Sequence, residues 1–155
     1  MTDVQTQADV VNTPQIASLA DLECATITVV VTLADDAEVS IPVRMISQHR
    51  MMQLSATIPS ATPPLVDYAS GGKPVYNYND NTFIANASEV AFKRNCLMLA
   101  EMIQMEIPGE SLEDKAQYIR DKFDPLVTEQ LIGVINDRRE KAKARVVTRA
   151  ETFHR

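Results

Sequence analysis

Residues 26–33 and 38–44 each alternate apolar and polar side chains with period two, and only four residues separate them. Ile27, Val29, Val31 and Leu33 fall on one face, with Thr26, Thr28 and Thr32 on the other. After Ala34-Asp35-Asp36-Ala37, Val39, Ile41 and Val43 resume the apolar face. Successive side chains of a strand point to opposite faces, so this pattern predicts a half-buried β-hairpin. Pro42 has no N–H to give to a ladder, so its nitrogen must face an open edge. A lone hairpin is marginal in water. This one must therefore lie on helices or pair with another chain's strand.

The remaining apolar residues recur at helical spacing. Ser47 is placed to cap a helix running to about residue 57, with Met51, Leu54 and Ile58 as its stripe and Pro59 just beyond. A longer helix is predicted from about residue 81 to 105. Ile84, Ala87, Ala91, Met98 and Met102 line one face, and Leu97, Leu99 and Ile103 widen it. Its second half, residues 96–105, is apolar nearly all round, which suits a central helix or an interface. Pro108-Gly109 stops it. Ser111 with Asp114 is a capping-box pattern for a short helix to about residue 123. Asp124-Pro125 then opens a last helix whose apolar face is Leu126, Val127, Leu131, Val134 and Ile135.

Residues 59–81 have another character. They hold Pro59, Pro63, Pro64 and Pro74, half of the eight prolines, and Tyr68, Tyr76 and Tyr78, three of the four tyrosines, around Gly71-Gly72. Prolines keep a chain extended without internal hydrogen bonds, which predicts a long loop. The fold class expected is therefore α+β: an N-terminal β-hairpin, then a mainly α-helical bundle, with a long Pro/Tyr-rich loop. Residues 1–22 read as a polar N-terminal arm with a short turn near residues 16–22. Residues 23–136 read as a single α+β domain, and residues 137–155 as a basic helical tail.

Charge divides the chain in the same place. Residues 1–136 carry 8 Lys and Arg against 18 Asp and Glu, whereas residues 137–155 carry 7 against 3. An acidic body with a basic end invites charged partners. The run Arg138-Arg139-Glu140-Lys141-Ala142-Lys143-Ala144-Arg145 has interleaved acids and no aromatics, which argues against a dedicated nucleic-acid reader. It suits a solvated helical face or a docking tail.

The residues that chemistry needs are missing in the required patterns. His49 and His154 are the only histidines and stand in no metal-ligand spacing; Cys24 and Cys96 form no zinc knuckle. The four glycines make no phosphate loop, and no Gly-x-Ser-x-Gly elbow occurs. The expectation is a protein that is not an enzyme and holds no metal or cofactor. No apolar run has membrane-spanning length and no leader is visible, so a reduced cytoplasmic setting is expected.

The middle of the chain carries an ordered set of motifs. Ile41-Pro42-Val43-Arg44 ends a strand and leads into a helix; Ile58-Pro59, Pro63-Pro64 and Gly72-Lys73-Pro74-Val75-Tyr76-Asn77-Tyr78 follow, then a long helix. Over residues 26–136 this resembles the tail assembly chaperones of long-tailed (siphophage-type) bacteriophages and related prophages. The resemblance implies a factor in the bacterial host cytoplasm that binds the tape measure protein and helps tail tube protein assemble around it. It also implies self-association, and for many members a longer frameshifted form. Open hairpin edges, Met-rich helices and a Pro/Tyr segment suit binding to other chains. They equally suit a structural tail or head–tail subunit retained in the particle. The residues expected to contact partners are Pro63, Pro64, Tyr68, Tyr76, Tyr78, Met98, Met102, Arg138, Arg139, Lys141 and Arg145.

Overall fold

A computed structural model describes residues 24–152, with side chains as far as Arg145. The arm expected over residues 1–22 and the last three residues of the tail lie outside the described residues. In chain order the elements are β1 (Thr26–Thr32), β2 (Glu38–Arg44), α1 (Gln48–Ala56), β3 (Leu65–Ala69), β4 (Lys73–Tyr76), α2 (Asn81–Met102), α3 (Leu112–Lys122) and α4 (Pro125–Thr152). The fold is α+β, an N-terminal antiparallel hairpin followed by helices.

β1 and β2 pair antiparallel, with Val29 opposite Ile41 and Thr28 opposite Pro42. Asp36 closes the turn at φ 63°, with its N–H on the Leu33 carbonyl at 3.0 Å. Asp is among the few residues that tolerate that left-handed conformation. Val29, Val31, Ile41 and Val43 form the buried face. The Pro42 carbonyl accepts from Gln104 N–H at 2.9 Å, and Val43 bridges Ile103. In an extended strand a residue's nitrogen and carbonyl point the same way, so Pro42 indeed turns its nitrogen to the outer edge. This contact also explains why α2 ends at Met102 and not near residue 105. Ile103 is extended, at ψ 125°, because the following amide is drawn to the sheet.

The outer edge of β1 is treated differently. Residues with odd numbers exchange the ladder bonds, as Met45 N–H to Ala25 and Leu33 N–H to Ala37 require. Thr28, Val30 and Thr32 therefore turn their backbone groups outward. At Thr32 the Gln130 side chain, 98 residues along, supplies both partners: its Oε1 accepts from Thr32 N–H at 2.9 Å and its Nε2 donates to the Thr32 carbonyl at 2.8 Å. The outward groups of Thr28 and Val30 have no hydrogen-bond partner among the described residues.

The helices begin where the caps place them. Ser47 accepts from Arg50 N–H, Asp80 from Phe83 N–H and Asp124 from Leu126 N–H. Ser111 and Asp114 form a full capping box, and the Ser111 side chain and then its backbone hold the Asp114 carboxyl below the usual range. α2 crosses the core with Cys96, Leu97, Met98, Leu99, Ala100 and Met102 buried. α3 contributes Ile119, and α4 contributes Val127, Leu131 and Ile135 at four-residue spacing. Leu126 and Val134, expected on that face, are exposed, because the stripe widens on its other side, to the buried Thr128 and the half-buried Ile132. Arg50 pairs with Glu101 at 2.8 Å and ties α1 to α2. α4 passes residue 136 without interruption, so the expected domain boundary falls inside one helix. No helix among the described residues is long and apolar enough to cross a membrane.

Candidate partner-binding surface

From residue 55 to residue 95 no side chain is buried. This stretch contains the Pro/Tyr segment and the first half of α2. Where the sequence predicts an open loop, the structure forms a second hairpin. β3 and β4 pair antiparallel, with Leu65 opposite Tyr76 and Tyr68 opposite Pro74, and the register shifts between Leu65 and Asp67. Asn77 N–H closes its base on the Pro64 carbonyl at 2.9 Å. Gly71 and Gly72 carry positive φ values of 92° and 76°, which side chains resist, and so permit the tight return at the tip. Pro74 removes one donor from the ladder but does not prevent pairing, because it lies on an edge strand.

Every residue of β3 and β4 is exposed, including Leu65, Val66 and Val75. Tyr68 is 63% exposed and Tyr78 62%. Tyr76, Tyr78 and Phe83 form an edge-to-face ladder with centroids 6.4 and 5.8 Å apart, which fastens the hairpin base to the start of α2. Ile84 and Phe92 extend the exposed apolar surface along α2. Arg94 is the strut at the root. Its guanidinium donates to the Ile58 carbonyl, at 2.7 Å from Nη2, and to the Ser60 hydroxyl at 2.9 Å. A polar pattern would be ordinary for so exposed a segment. Here Leu65, Val66, Val75, Ile84 and Phe92 are exposed instead.

The expected contact residues divide into three groups. Pro63, Pro64, Tyr68, Tyr76 and Tyr78 all belong to this limb, with Pro63 half-buried and the others exposed. Met98 and Met102 do not belong to any surface: they are 8% and 0% exposed. The apolar second half of α2 is the centre of the core, and these two must be withdrawn from the contact set. Arg138, Lys141 and Arg145 are exposed on α4, and Lys141 pairs with Asp137 at 2.8 Å. Arg139 instead folds onto the core, its Nη2 3.3 Å from the Met98 sulfur, and burial pulls its pKa below the usual range.

Nothing in the sequence marks Arg94, since its partners are a carbonyl and a hydroxyl more than thirty residues away. For Leu65, Val66 and Val75 the one available signal was the Gly-Gly turn between them, since runs of five and four residues interrupted by proline show no period. Among the described residues no cluster of His, Cys, Asp and Glu is arranged to hold a metal ion. Cys96 is buried, and burial pushes its thiol up to about 11, so it is no nucleophile at neutral pH. The surface is equipped for contact through aromatic and aliphatic side chains. Compared with family models, curated proteins and solved structures, the chain finds no match.

Proposed function

We propose that this protein is a tail assembly chaperone of a long-tailed bacteriophage, acting in the host cytoplasm by binding and without chemistry. Its partners on this reading are the tape measure protein and the tail tube protein. The observation that carries the proposal is the limb. An apolar hairpin and half a helix, all unburied, stand on a core that is otherwise well packed. A protein that shields a long, aggregation-prone client needs such a surface while it remains folded itself. Tyrosines on a tied-down hairpin suit that task, since they present large area with few rotamers to freeze. The motif order over residues 26–136 supplies the identity of the client. Self-association belongs to the same reading.

The test is co-expression with each tail protein of the same genome, followed by mass spectrometry of finished particles. Co-purification with the tape measure protein and absence from the particle are expected. Presence in the particle in many copies would overturn the proposal in favour of a structural subunit.

A further inference from the structure

A second apolar surface shares no residue with the limb. It is a groove of about 510 Å³. Four pieces of chain frame it: the turn end of the first hairpin, the segment following α2, the last turn of α3 and the first turn of α4. Ile41, Ile103, Ile107 and Val127 are buried at its floor. At its rim Val39, Tyr118 and Met105 are exposed, Met105 to 55%. Tyr118 and Phe123 meet edge to face at 6.5 Å and stiffen one wall.

The charged residues that line the groove are both acids, Glu106 and Asp124; no Lys or Arg lines it. Glu106 makes no ion pair among the described residues. Asp124 caps α4 with one oxygen, accepting from Leu126 N–H at 2.8 Å. Asp35, Asp36 and Glu38 follow directly in the turn between Leu33 and Val39, two of the lining residues. The apolar floor is thus lined by two acids and no base, with Lys122 next to Phe123 the one base directly adjoining a lining residue in sequence. The backbone edge alongside offers a strand only a broken ladder: Glu38 and Ser40 turn their groups outward, but Pro42 has no donor and its carbonyl is already taken by Gln104. A helix needs only side-chain contacts and can set anchors at i, i+4 and i+7 into such a groove.

We infer that this groove receives the apolar face of a basic amphipathic helix from another protein. The inference goes beyond the function proposed above: it assigns a second binding site, with its own chemistry, and it does not depend on the partner's being a tail protein. The acids select Lys and Arg on the flanks of the helix, and the apolar floor takes its anchors. Charge governs the encounter rate and the choice of partner, and the buried anchors govern residence.

The experiment uses the full chain and two fluorescein-labelled helical peptides of about five turns. Both carry Leu on one face; one has Lys on the other face and the second has Glu. The Lys peptide is expected to bind at least about tenfold more tightly, and to weaken as ionic strength rises from about 0.05 M to about 0.5 M. Met105→Arg and, separately, Val39→Arg should each lower its affinity about tenfold or more, because each places a cation and bulk at the rim. Both positions are exposed, and unchanged circular dichroism checks the fold. Amide shifts on adding the Lys peptide should cluster at Val39, Met105 and Tyr118. Equal binding of both peptides, no binding of either, or indifference to both rim variants would overturn the inference. So would self-association of the free protein that Met105→Arg abolishes, which would make a second copy the occupant.

Discussion

Cys24 and Cys96 occupy opposite surroundings, one exposed and one at the centre of the core. The thiolate is the reactive form, and burial pushes the Cys96 thiol up to about 11. At pH 8 a thiol-specific dye should label Cys24 rapidly and Cys96 only on denaturation, giving one fast thiol per folded chain. Two fast thiols would mean that α2 is not the core helix. A raised folded pKa means that the unfolded chain loses this proton first. The Cys96 contribution to stability is therefore full below the ordinary thiol value of about 8.5 and falls as pH rises from there toward about 11. At the same scale, Met98 and Met102 show where composition misleads. A methionine-rich helix suits a core and an adaptable surface equally, and only the position of the neighbouring elements decides between them. Here the inner face of the first hairpin covers it from one side, and α4 brings Arg139 onto Met98 from another.

Among the elements, the limb and the end of α4 make separable demands. Because no residue between 55 and 95 is buried, replacing Tyr76 and Tyr78 with Ala should leave the melting temperature of the core nearly unchanged. Client affinity should fall by about 2 kcal/mol, the scale of an interface anchor. Unfolding of the whole domain would show instead that the limb is structural. For α4, chain termination after Glu140 should hardly alter stability. Termination after Asn136 should cost about 1 kcal/mol, because it also removes Arg139 from Met98. Equal melting temperatures for the two truncations would deny that contact any role. The first hairpin and the caps at Ser47, Ser111 and Asp124 were readable because their causes are local: alternation, a turn, a hydroxyl or carboxylate beside free amides. The second hairpin was hidden by its prolines, and its strands are too short to display a period. The end of α2 was unreadable for another reason, since it is set by a carbonyl on β2 some sixty residues earlier.

For the molecule as a whole, the two edges of the first sheet differ in protection. β2 carries Pro42, Glu38 and Arg44 and is bridged at Val43, whereas β1 contains no charged residue at all. Uncharged edges with free backbone groups add further strands. Sedimentation velocity should reveal association that increases with concentration. Val30→Lys, at an exposed position on the open edge, should reduce it without lowering the melting temperature. A chain that stays monomeric at every concentration would refute this. The tyrosines of the candidate surface were legible from the sequence, but their setting was not. Arg94, which roots the limb, and Gln130, which completes β1 at Thr32, act through partners that only the fold brings near. The uninterrupted course of α4 has a mechanical consequence. Each helical residue advances the axis by about 1.5 Å, so Thr152 lies about 24 Å beyond Asn136. A label or fused domain joined at that end would begin at a fixed stand-off from the sheet, with its azimuth set by the helical phase. Inserting one residue into the exposed part of α4 would turn it by about 100° and inserting seven would nearly restore it, making the helix an adjustable spindle.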